Sequence, residues 1–97
     1  MVKPYGTVIV MAEVKVMSFV EIFVDPAFMD DVVKELSSID DVVQVYEVTG
    51  EFDIIAMTLS DDMEQFRDML KNKIMKIKGI KTTVSSIVLK ADKGSNQ

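Results

Sequence analysis

The segment "VTGEFD", residues 48–53, places two carboxylates, Glu51 and Asp53, in a turn between the apolar runs "VVQVYE" and "IIAMTL". Gly50 has an ordinary reason to be there. A tight reversal between strands needs a positive φ, which glycine adopts without a Cβ penalty. The two carboxylates have no such reason: they form either a solvated loop tip or the anionic side of a binding site. Few other groups compete with them. The chain has no histidine and no cysteine. This removes the commonest general base and metal ligand, zinc thiolate sites and disulfides. No nucleophile–base pair is visible. The acidic pairs at 30–31, 40–41 and 61–62 fall at helix starts or turns, where the helix dipole or solvent accounts for them. Lys71, Lys73, Lys76 and Lys78 crowd the end of a helical segment, where the dipole favours cations. With a net charge of −5 over the chain, they read as a solvated face rather than a nucleic-acid patch.

The elements that position these groups follow from periodicity. At 97 residues the chain is one domain, and its 48% hydrophobic and 28% charged composition is globular rather than disordered. "MSFVEIFV" (17–24) reads as a strand. "DPAF" starts a helix, with Asp25 as cap and Pro26 at the first helical position. Met29, Val32, Val33 and Leu36 then form one apolar stripe. Residues 42–49 and 52–60 read as a second and a third strand. Asp61 and Glu64 suggest a capping pair for a long helix, with Met63, Phe66, Leu70, Ile74 and Ile77 as its apolar stripe and Gly79 as its stop. "IKTTVSSIVLK" (80–90) is the fourth strand, and "ADKGSNQ" (91–97) is a polar, flexible tail.

The order β-α-β-β-α-β predicts an α+β, ferredoxin-like sandwich with strands one and three central. Two helices cover one face of such a sheet, yet the strands are apolar on both sides. Phe19 and Phe23 oppose Val20, Ile22 and Val24, while Ile54 and Ala56 oppose Ile55, Met57 and Leu59. Val43 and Val45 are expected to share one side of the second strand, with Val42 and Tyr46 on the other. A bare apolar face is larger than soluble monomers usually tolerate. A second copy packed sheet against sheet, giving a dimeric α+β barrel, is the simplest cover. Residues 5–16 folding back over the face are the alternative.

These residues resemble the effector-binding domain of the Lrp/AsnC (feast/famine) transcription regulators, the RAM domain. The parts that carry the likeness are "VDPAFMDDVVKELSSIDDVVQVYEVTGEFDIIAM", "FRDMLKNKIMKIKGIKTT" and "TVSSIVL", from about Met17 to Leu89. The resemblance implies a RAM domain over 17–90. Residues 1–16, too few for a helix-turn-helix, are then an N-terminal extension or linker strand. It also implies a cytoplasmic, non-enzymatic amino-acid-binding module without cofactor or metal. Its partners would be a second copy, assemblies up to an octamer (a ring of four dimers), and full-length Lrp/AsnC regulators, with no direct DNA or membrane contact. In the family the Gly-x-x-Asp turn and a Thr-x-Thr in the last strand help line the effector pocket. Here Gly50 and Asp53 match the first motif, and Thr83 and Ser85 the second, with serine replacing the second threonine. Asp53 would face the effector ammonium. The N–H groups near Gly50 and the hydroxyls of Thr83 and Ser85 would face its carboxylate. Glu51 is the lesser candidate. Dimeric α+β barrel enzymes of the monooxygenase type share this strand order and form the competing class, with a purely structural oligomerisation module as a third.

Overall fold

In a computed structural model, residues 15–94 are described. The predicted extension over 1–16 lies outside them except for Lys15 and Val16, as do the last three residues of the predicted tail. Four strands, β1 (Val16–Val24), β2 (Val42–Glu47), β3 (Ile54–Ser60) and β4 (Ile80–Ile87), form one antiparallel sheet in the order β2-β3-β1-β4. The fold is the expected ferredoxin-like α+β arrangement, with β1 and β3 central. Helix α1 (Met29–Ser37) is entered through a 3₁₀ turn, Pro26–Phe28, which Asp25 caps by accepting the Ala27 N–H at 3.0 Å. Val32 and Leu36 of α1 are fully buried against Val20, Ile22, Ile54 and Ala56.

Helix α2 (Met63–Met69) departs from the predicted stripe. Its buried residues are Phe66 and Met69, followed by Ile74 and Ile77, whereas Met63 is exposed. The step from Met69 to Ile74 is five residues, too long for one regular α turn. Residues Leu70–Ile74 solve this with a single π turn, closed by Met75 N–H donating to the Leu70 carbonyl at 2.9 Å. A π turn accommodates the extra residue and returns Ile74 to the core. The helix cap is Asp62 rather than Asp61: its carboxylate accepts the Gln65 N–H at 2.8 Å, while Asp61 pairs with Lys15.

The second strand also differs from expectation. A bulge sets both Val43 and Gln44 opposite Met57, so Val42 and Val45 pair with the buried Thr58 and Ala56. The inserted residue breaks strict alternation. Val42 and Val45 therefore share the helix side, and Val43 is exposed. The helix side of the sheet is apolar at one end and hydroxyl-lined at the other, where Ser18 and Thr58 bond to each other at 2.7 Å. The opposite face holds Phe19, Tyr46 and Val84, all exposed, with half-buried Phe23, Ile55, Met57 and Leu59.

Candidate ligand-binding site

Residues 48–53 form a hairpin loop closed by Val48 N–H donating to the Asp53 carbonyl at 3.0 Å. Gly50 sits at its exposed tip with φ +121°, and Glu51 beside it is exposed. Asp53 faces inward along the strand ends. Its N–H donates to the Ile22 carbonyl at 3.1 Å, and its carboxylate Oδ2 accepts the Val24 N–H at 2.8 Å. Oδ1 has no partner among the described residues. Phe52 turns back over the sheet end and packs on Phe23, with ring centroids 4.6 Å apart.

Thr83 and Ser85 lie on the other side of β1, opposite Ile22 and Val20 respectively. Directly opposed residues share a face, so both hydroxyls belong to the helix side of the sheet. On β3 the residue opposite Ile22 is Ile54, so Asp53 lies one position beyond it, bonded through its N–H to the Ile22 carbonyl, while Thr83 stands directly opposite Ile22 on β4; the two backbones are two strand spacings apart, roughly 10 Å. Ser85 lies one pair further in. Its Oγ is enclosed and has no hydrogen-bond partner. Most buried polar atoms in proteins do have one. The structure thus gathers Asp53 and Thr83 at one end of the sheet, leaves Gly50 and Glu51 at the tip, and encloses Ser85.

Three features were not read from the sequence. Asp41 ties the end of β3 to α2: its Oδ2 accepts from Ser60 Oγ at 2.8 Å and from Gln65 Nε2 at 2.9 Å. The Ser18–Thr58 pair is set by strand register, which composition does not reveal. A cleft of about 430 Å³ opens on the helix side, lined by Phe28, Asp31, Lys34, Glu35 and Lys78. Asp31 and Glu35 are a visible one-turn pair, but their proximity to Lys78 is a tertiary fact. Among the described residues no three metal-ligating side chains converge, and no helix is long and apolar enough to cross a membrane.

A four-stranded antiparallel sheet backed by two helices defines an α+β, ferredoxin-like domain. The chain matches the model of the Lrp/AsnC ligand binding domain over residues 17–97, and it belongs to that family. It is 22% identical over 83 residues to the HTH-type transcriptional regulator Ptr1 of Methanocaldococcus jannaschii, covering 86% of this chain and 56% of that protein. The chain spans about half the length of the curated relatives it matches. Escherichia coli AsnC has the same fold, with TM-score 0.82 and 24% identity over 90% of this chain and 59% of that one. So does a Neisseria meningitidis transcriptional regulator solved with L-Met, with TM-score 0.80 and 20% identity over 87% of this chain and 56% of that one.

Proposed function

We propose that this domain binds a small zwitterionic effector, an amino acid, at the hairpin end of the sheet. It acts without catalysis, as a self-associating regulatory module in the cytoplasm. The observation that carries the reading is Ser85 Oγ. A buried hydroxyl with no partner costs about 1–3 kcal/mol, and it stands at a position the family likeness assigns to the effector pocket. Asp53 supports it with a carboxylate oxygen still available to an ammonium. The effector ammonium meets Asp53, and its carboxylate meets the hydroxyls of Thr83 and Ser85, while the N–H groups near Gly50 stay at the exposed tip. Glu51, exposed at the tip, adds negative potential.

Self-association uses the exposed sheet face around Phe19, Tyr46 and Val84. Its first partner is a second copy, and dimers assemble further into rings of four. A full-length regulator that carries the same domain is an equivalent partner for that face. Modulation then follows from mixed assemblies, whose composition the effector shifts by its differential affinity.

A thermal-shift screen against the twenty amino acids tests the effector, starting with L-Met because a structural relative was solved with it. A ligand at about one hundred times its Kd adds about 2.7 kcal/mol of stability. No stabilisation by any of the twenty would sink the amino-acid reading.

A further inference from the structure

We propose that the segment from α2 through Ile77 is a two-register element. The π turn at Leu70–Ile74 closes into regular α-helix when the part before it rotates, and the Gln65–Asp41 hydrogen bond is the latch that holds the observed register.

The sequence supplies an apolar stripe for each register. In the observed one Phe66, Met69, Ile74 and Ile77 are buried, Leu70 is half-buried and Met63 is exposed. The π turn takes up the five-residue step from Met69 to Ile74. A regular helix turns about 100° per residue. On such a helix Met63, Phe66, Leu70, Ile74 and Ile77 fall within a sector of roughly 80°, and Met69 lies about 100° from its centre. Rotation therefore exchanges one apolar side chain, Met69, for two others, Met63 and Leu70. Arg67 comes to the rim of the buried stripe, where its stem can lie along apolar surface.

The end of the segment is the fixed part. Ile74 and Ile77 are buried, Asp25 N–H donates to the Gly79 carbonyl at 2.8 Å, and Gly79 is packed against Phe28. Met63–Met69 is the part that turns. Backbone bonding survives the change. Met75 N–H now donates to the Leu70 carbonyl at 2.9 Å. In a regular helix it donates to Lys71, and Ile74 N–H takes Leu70.

Side-chain bonding at the start of α2 favours the observed register. Gln65 Nε2 donates to Asp41 Oδ2 at 2.9 Å, and the same oxygen accepts from Ser60 Oγ at 2.8 Å. In the regular register Gln65 lies about 140° from the centre of the buried stripe, and this bond is broken. The rotation of α2 is thus tied to the turn before β2 and to the end of β3. Anything that binds Asp41 or Ser60 more tightly in one register shifts the balance between the two.

The test is relaxation dispersion on the whole protein labelled with ¹³C at the methionine methyls, which reads exchange on the microsecond-to-millisecond scale. The expected result is exchange at Met63 and Met69 with one shared rate. Gln65→Ala removes the latch and raises the minor population about tenfold, the scale of one hydrogen bond to a charged group. A gadolinium chelate in the solvent then broadens Met69 more, and Met63 less, than in wild type. Met63→Glu changes an exposed position in the observed register, so the melting temperature should stay near that of wild type. It abolishes exchange at Met69, because the regular register would bury its charge. The proposal is overturned if Met69 shows no exchange in both wild type and Gln65→Ala, or if folded Met63→Glu exchanges as wild type does.

Discussion

The carboxylate of Asp53 accepts the backbone N–H of Val24 at 2.8 Å across 29 residues of sequence, and so fastens the hairpin to the end of the central strand β1. The residue therefore has structural work besides any contact with a ligand. Asp53→Asn keeps an acceptor oxygen, and its expected cost is about 1 kcal/mol or less. Asp53→Ala leaves the Val24 N–H without this acceptor and is expected to cost about 1–3 kcal/mol. Urea melts of both variants measure this. A ligand-induced shift equal in wild type and Asp53→Asn would remove the ammonium contact from the proposal.

Ser85→Ala should behave in the opposite sense. Deleting an enclosed hydroxyl without a partner is expected to leave stability unchanged or raise it by up to about 1 kcal/mol. Effector stabilisation should fall in the same variant. If Ser85→Ala melts lower and still responds fully to ligand, the hydroxyl has a purely structural role.

Gly50 and Gly79 should differ. Both have positive φ, and alanine in that region costs about 1–2 kcal/mol. Around Gly50 a Cβ meets nothing within 4 Å, whereas at Gly79 it meets Phe28. Gly50→Ala is therefore expected to lose only the backbone term. Gly79→Ala should lose a further 1–3 kcal/mol, roughly the usual cost of overpacking. Denaturation midpoints of the two variants, compared at equal slope, give the difference directly.

On α2 the contrast is between Ile74 and Met63. Ile74→Ala removes a fully buried side chain, with an expected loss of about 2–5 kcal/mol. Met63→Ala, on an exposed position, should change stability by less than about 0.5 kcal/mol. Similar losses in both would contradict the π turn, because a continuous α-helical stripe treats the two positions alike.

Phe19→Asp and Val84→Asp place charge on the exposed sheet face without touching the core. Light scattering should show a smaller assembly, with far-UV circular dichroism retained. Val20→Asp, on the buried side, should instead unfold the domain. A wild-type mass for Phe19→Asp and Val84→Asp together would remove this face as the association surface.

Strand order, the central position of β1 and β3, and the Asp25–Pro26 helix start were all legible because each rests on local signals: β-branched runs, a cap and a proline. The two departures share one cause. In β2 and in α2 a single extra residue shifts the phase of the apolar pattern. Val43 and Gln44 together face Met57, and Leu70–Ile74 form one wide turn. A fixed period of 2 or 3.6 reads across such a shift and assigns Val43 and Met63 to the wrong side. The site divides in the same way. Gly50 at the tip follows from turn chemistry. The Asp53–Val24 bond, the enclosure of Ser85 and the meeting of Lys78 with Phe28 depend on register and long-range packing, which no window of sequence contains.

The bulge in β2 also bears on how such a sheet avoids uncontrolled growth. Among the described residues β2 is an outer strand, hydrogen-bonded only to β3. A regular outer strand offers a row of free N–H and C=O groups on which another chain can template. Here the row is interrupted at Val43, the strand is only six residues long, and Glu47 closes it with a charge. Strand-by-strand addition into fibres is disfavoured at that edge, while Phe19, Tyr46 and Val84 are exposed on the broad face. The same inserted residue that confuses the pattern thus steers contacts between molecules away from the ladder and toward side chains, where shape and charge can discriminate one partner from another.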